Sequence, residues 1–173
     1  EGSVSSGDGR PLAGALVDVW QADENGYYDL QRPDLTEPVL RARFRTDGRG
    51  CFAFRSILPS HYPIPAGGPV GELLNATGRH PFRPAHIHFR IAAEGHETLV
   101  TQLFPADGPY LADDAAFGVK ASLVVECPPG ATGGAPDGSA GPWRQLAYDF
   151  VLKAQAGTPD AGGLTGRDSG TFR

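Results

Sequence analysis

Ala15-Leu16-Val17-Asp18-Val19-Trp20 decides the fold class. On an extended chain successive side chains face opposite ways, so Ala15, Val17 and Val19 make one face and Leu16, Asp18 and Trp20 the other. Gly7-Asp8-Gly9 before the run and Asn25-Gly26 after it are turn signals. The pattern recurs in Arg41-Ala42-Arg43-Phe44-Arg45, whose arginines share one face, as in a sheet with one wet side. Thr46-Asp47-Gly48-Arg49-Gly50 is a turn, and Cys51-Phe52-Ala53-Phe54-Arg55 is expected to return as its hairpin partner. Further strands are expected at His86–Ile91, Leu99–Phe104, Ser122–Glu126 and Gln145–Leu152. Only Glu72-Leu73-Leu74-Asn75-Ala76 and the Asp113–Phe117 stretch read as helical, one or two turns each. The fold class is all-β: an antiparallel β-sandwich with long loops and one or two short helices.

Composition narrows the function classes. The 173 residues suit one domain and include 24 glycines and 16 prolines, far more punctuation than a helical bundle tolerates. A chain this long buries roughly 68–70% of its unfolded surface, so it needs neither metal nor disulfide merely to fold. The net charge of −5 leaves no cationic surplus to neutralise phosphates, so nucleic acid is not an expected partner. No apolar run approaches the roughly 18 residues of a bilayer-spanning helix, so no membrane is expected either. Pro128 to Pro142 reads as a long surface loop, and Ala156 to Arg173 as a Gly/Pro-rich tail or linker. The folded unit is thus expected over residues 1–155, with a further domain after the tail left open. The chain starts at Glu1, lacks methionine and shows no signal-peptide pattern, as an excised piece of a longer protein would. Cys51 and Cys127 either bridge or are buried thiols, and Cys51 reads as a small core side chain. Asn75-Ala76-Thr77 fits a glycosylation sequon, a triplet common by chance.

Arg83-Pro84-Ala85-His86-Ile87-His88-Phe89 is the sharpest chemical feature. On a strand His86 and His88 share a face, and two imidazoles a strand step apart can grip one metal ion. Their partners are open at this level. Glu94 would serve a cupin-like site. His61, His80 and His96 would serve copper or zinc. Tyr28 and Tyr62, each beside a chain reversal, would supply loop-borne phenols.

Gly9-Arg10-Pro11-Leu12-Ala13-Gly14-Ala15-Leu16-Val17-Asp18-Val19-Trp20-Gln21-Ala22, then Gly26-x-Tyr28, then Gly78-Arg79-His80-Pro81-Phe82-Arg83-Pro84-Ala85-His86-Ile87-His88-Phe89, resembles the intradiol ring-cleavage dioxygenases. These include the catechol, hydroxyquinol and protocatechuate dioxygenases, and the likeness runs from about Gly2 to Leu152. It implies a mononuclear non-haem Fe(III) held by Tyr28, Tyr62, His86 and His88. It also implies cleavage of a small aromatic diol, with O2, between its two hydroxyl-bearing carbons to a muconate-type diacid. The resemblance further implies that Tyr62 doubles as a general base, that Arg83 stabilises developing negative charge and that Gln102 helps to position it. The duller rivals are Tyr27 as ligand, Arg83 as a structural salt-bridge partner and Gln102 as a backbone partner.

The spacing from Tyr62 to His86 is similar to the catechol branch, while Tyr62-Pro63 is similar to the protocatechuate branch. Catechol-branch members usually carry a preceding helical segment that builds their dimer. The sequence shows none, so the oligomeric state is left open and a more open site, accepting bulky substituted catechols, is expected. Tail composition and the missing leader favour a secreted location slightly over a cytoplasmic one. The competing class is a non-catalytic, transthyretin-like binding sandwich, which needs no such donor set.

Overall fold

Alternating apolar residues here zip two sheets face to face. The computed structural model describes residues 1–130 and 134–156. In chain order its strands are β1 (Gly2–Ser6), β2 (Leu16–Gln21), β3 (Arg41–Arg45), β4 (Cys51–Phe52), β5 (Tyr62–Pro63), β6 (Phe82–Arg83), β7 (Ile87–Ala92), β8 (Leu99–Pro105), β9 (Val124–Val125) and β10 (Tyr148–Leu152). A single α-helix, α1 (Pro69–Ala76), and 3-10 turns at Asp29–Gln31 and Ala121–Leu123 complete the described elements. One sheet runs β10-β1-β4, the other β3-β2-β7-β8-β9, and β5 pairs with β6 as a separate ribbon. Pairing is antiparallel except between β1 and β10 and between β8 and β9.

The core lies between the two larger sheets. Val17 and Val19 of β2, Ile87, Phe89 and Ile91 of β7 and Leu103 of β8 meet Val4, Phe52, Phe150 and Leu152 of the opposing sheet. Phe89 bridges them, its ring 5.0 Å from Phe150 and 6.4 Å from Phe52. Burying each such side chain contributes about 1.5–3 kcal/mol. The other face of β2 and β7 is wet, and there Asp18 accepts hydrogen bonds from Arg43 at 2.5 Å and Arg90 at 3.1 Å.

The expected hairpin does not form. β3 pairs with β2 whereas β4 pairs with β1, so the turn between them carries the chain from one sheet to the other. The Asp47 carboxylate accepts the N–H groups of Arg49 and Cys51, and Gly50 sits at φ 75 with its carbonyl accepting the Val4 N–H. A Cβ on Gly50 would lie 2.6 Å from the Val4 carbonyl oxygen, so only glycine lets the turn reach β1. Cys51 consequently lies exposed and Phe52 takes the core position; both cysteines are free thiols, with Cys127 buried.

Asp113–Phe117 is not helical. The Asp114 side chain takes the N–H groups of Ala116 and Gly118 and turns the backbone instead. Ser122–Glu126 shortens to a 3-10 turn and the two residues of β9. Within the 128–142 stretch Pro129 bridges to Arg144 and Ala135 is buried, so part of it packs; residues 131–133 lie outside the described ones. The tail expected from Ala156 onward lies, from 157, outside the described residues. Among the described residues no helix is long and apolar enough to cross a membrane.

Candidate metal centre

Strand register assembles most of the site. β7 runs between β2 and β8, which sets His88 opposite Trp20 on one side and Gln102 on the other. The Trp20 indole lies flat on the His88 imidazole, centroids 4.7 Å apart and planes 4° apart. His86 precedes the strand on the same side, while Ile87 between them enters the core. Its Nδ1–H donates to the Pro84 carbonyl at 2.7 Å, which leaves Nε2 as the free lone pair. On the ribbon, Tyr62 of β5 pairs directly opposite Arg83 of β6.

Tyr28 arrives from the turn after β2. Gly26 in that turn has φ +85, and a Cβ there would sit 2.8 Å from the Tyr62 Cβ and 3.0 Å from the His61 carbonyl. Glycine alone lets the two tyrosine segments touch. Tyr27 is 52% exposed and its backbone N–H is taken by Asp23; Tyr28 is the one that turns inward.

Four donor atoms converge. Tyr28 Oη lies 3.0 Å from Tyr62 Oη, 3.4 Å from His86 Nε2 and 3.1 Å from His88 Nε2. Tyr62 Oη is 3.4 Å from His86 Nε2, and the two Nε2 atoms are 3.1 Å apart. These five separations, between 3.0 and 3.4 Å, are those of donor atoms each about 2 Å from one common ion, the usual length of a bond from a metal to oxygen or nitrogen. Two phenol protons cannot serve so many close contacts, whereas one cation between the four atoms would satisfy them together. The donor set therefore fits a metal ion. Phenolate oxygens are hard donors, suited to a hard, highly charged ion such as Fe(III).

Electrostatics agree. Burial keeps both imidazoles neutral: His86 is pushed down to about 4 and His88 to about 3, with the positive Arg83 adding to the effect in each. For Tyr28, burial first and then Tyr62 raise the phenol above its ordinary value near 10, so its phenolate requires a cation beside it.

Arg83 is both a structural partner and a site residue. Nε donates to Asp114 Oδ1 at 3.1 Å, and Nη2 donates to Asp114 Oδ2 at 3.2 Å and to Gln102 Oε1 at 2.9 Å. Its Nη1 lies 3.3 Å from His86 Nε2. Gln102 thus touches Arg83 rather than the donor cluster. Burial opposes the charge on Asp114, but its hydrogen bonds to Arg83 and the two backbone N–H groups hold it below the usual carboxylate range.

The other metal readings gain no support. His80 pairs with Asp113 at 2.8 Å, His96 donates to the Glu94 carbonyl at 2.8 Å, and His61 packs near the rings of Phe82 and Tyr110. Among the described residues no group of three or more His, Cys, Asp or Glu is placed to hold a metal. Sequence reasoning missed Asp114, which lies 31 positions beyond Arg83 with no local signal, and the close approach of Gly118 to Arg83.

Comparison with known proteins follows the same line. A family model described as "Dioxygenase" matches residues 1–154. The chain is 49% identical over 151 residues to a 6-chlorohydroxyquinol 1,2-dioxygenase of Cupriavidus pinatubonensis, covering 87% of the chain and 51% of that protein. It is 50% identical over 126 residues to a hydroxyquinol 1,2-dioxygenase of Rhizobium sp., covering 72% and 43%. The structure of hydroxyquinol 1,2-dioxygenase from Pseudomonas putida DLL-E4 superposes with a TM-score of 0.81 at 46% identity, covering 89% of this chain and 55% of that one. Catechol 1,2-dioxygenase from Pseudomonas arvilla C-1 gives 0.82 at 39% identity, covering 94% and 53%. The chain spans about half the length of these curated relatives.

Proposed function

The chain belongs to the intradiol ring-cleavage dioxygenases, and from that premise we propose that it holds one Fe(III) through Tyr28, Tyr62, His86 and His88 and opens the ring of a catechol-type diol with O2. The convergence of two phenol oxygens and two neutral imidazoles on one point carries this reading. A transthyretin-like binding module has no use for such a cluster. When bound, the ferric ion would supply Lewis acidity and electron exchange with the diol ring. The reaction adds both atoms of O2: the carbon–carbon bond between the hydroxyl-bearing carbons breaks, and each of those carbons becomes a carboxyl.

The protein's own groups have distinct tasks. His86 and His88 stay unprotonated through burial, so no acid must be displaced before they donate. Pro84 and Trp20 hold their rings in place. Tyr28 Oη contacts the other three donor atoms and acts as the fixed hub. Tyr62, on the short β5–β6 ribbon, is the more peripheral phenol, and its Oη takes up a substrate hydroxyl proton. Arg83 Nη1 faces the cluster, placed to stabilise negative charge that develops on the ring or its oxygens.

Relatives named for hydroxyquinol and its 6-chloro derivative favour a hydroxylated or halogenated catechol as substrate. The test is oxygen uptake and product analysis with iron-loaded protein and catechol, hydroxyquinol and chlorinated catechols. The expected result is one O2 consumed per diol and a ring-opened diacid, with hydroxyquinols turned over best. Iron-bound protein that opens none of these rings would overturn the proposal.

A further inference from the structure

Arg83 has five N–H groups, and the loop following β8 decides which of them serve the site. Asp114 takes Nε–H and one Nη2–H, and Gln102 takes the other Nη2–H. Only the Nη1 pair remains, and it faces the donor cluster. We propose that Asp114 is a positioning residue that fixes the Arg83 guanidinium so that only its Nη1 edge is presented to the bound diol. The inference rests on the function proposed above and assigns to Asp114 a role the ligand set does not include.

The surroundings of Asp114 are built to hold it still. Its side chain is 2% exposed and Arg83's is 9%. Its Oδ1 also accepts the Ala116 N–H at 3.1 Å and its Oδ2 the Gly118 N–H at 2.7 Å. The Ala115 N–H donates to the Phe82 carbonyl, tying the loop to β6 next to Arg83. Arg79 donates to the Asp114 carbonyl at 2.9 Å and lies 3.8 Å over the Phe117 ring. Tyr110 and Phe117 flank the turn at φ 67 and φ 53, conformations that side-chain-bearing residues keep only where the surroundings enforce them. A Cβ on Gly118 would lie 2.8 Å from Arg83 Nη2 and 3.1 Å from Asp114 Oδ2, so backbone packs directly against the ion pair. A carboxylate and an amide thus lock the fork of a guanidinium in one rotation, and the strained loop locks the carboxylate.

Two measurements test this separately from the ring-cleavage reading. In metal-free protein labelled with nitrogen-15, the Arg83 Nε–H resonance, assigned by its loss in Arg83→Lys, should exchange slowly with water. Asp114→Asn should speed that exchange, and Gly118→Ala, which keeps the carboxylate, should shift the resonance. An unchanged resonance in both variants overturns the proposal, whatever the protein catalyses. With iron-loaded protein, Asp114→Asn and Gly118→Ala should each lower kcat about tenfold or more with KM changed less than about threefold and iron content unaltered. In an Arg83→Lys background Asp114→Asn should cost no further kcat. An equal loss in both backgrounds would mark Asp114 as generally structural and refute the positioning role. Should Asp114→Asn fail to fold, Gly118→Ala carries both measurements. A wild type with a protected Nε–H but no turnover would instead sink the ring-cleavage reading.

Discussion

Gly26→Ala is the substitution that joins backbone conformation to the metal centre most directly. The added methyl has two separable costs. At φ +85 an alanine pays the left-handed penalty, about 1–2 kcal/mol. Its Cβ would also stand 2.8 Å from the Tyr62 Cβ and 3.0 Å from the His61 carbonyl, and overpacking of that kind costs about 1–3 kcal/mol more. Gly9 supplies the control, because it has the same φ of +85 with nothing within 4 Å of the added Cβ. Urea unfolding of metal-free protein should therefore show a loss of about 1–2 kcal/mol for Gly9→Ala and about 2–5 kcal/mol for Gly26→Ala. Relief of the contact must push the Tyr28 turn away from Tyr62, so Gly26→Ala alone should also lower iron content at fixed iron supply. Equal destabilisation by the two substitutions with full iron content in both would refute the close-approach argument.

Further outcomes follow from the same geometry. Trp20→Ala removes the ring stacked on His88, a contact of about 0.5–1.5 kcal/mol, so iron affinity should fall by up to about tenfold, read by competition with a chelator. In metal-free protein His86 and His88 titrate at about 4 and about 3 when folded, but near 6.5 when unfolded. The unfolded chain therefore binds more protons between those limits, and stability should fall as pH drops from about 6.5 towards 4, by at most about 1.4 kcal/mol per pH unit for each histidine. Urea midpoints measured across that range check the sign, and replacing His88 by glutamine should flatten the slope.

Local pattern carried the faces of the strands but not their partners. The alternation of residues 15–20 put Val17 and Val19 on one face and Trp20 on the other, and the structure turns the valine face into the core. The His86-Ile87-His88 step likewise read as two side chains on one face, and in the structure Ile87 on the other face enters the core. What local pattern cannot show is which sheet a strand joins, and Gly50 sends β4 to β1 through a contact distant in sequence. That diversion also explains the exposed Cys51, since a two-residue strand leaves only Phe52 for the core. Asp114 was hidden for a related reason. The stretch around it read as a short helix, whereas its carboxylate turns the loop and answers a charge 31 residues away. Tyr28 and Tyr62 stood out only as one option among several, each beside a chain reversal, and the resemblance singled them out, because two loop tyrosines have no periodicity to relate them.

The central claim is that two tyrosinates and two histidines hold ferric iron, and a visible absorption spectrum of purified, unreduced protein tests it most directly. Iron is quantified on the same sample, and the spectrum is repeated after adding catechol without oxygen. The account predicts about one iron per chain and a tyrosinate-to-iron charge-transfer band that colours the protein wine-red and shifts when catechol binds. A protein that binds iron yet stays colourless, or that stays colourless after reconstitution, would contradict it.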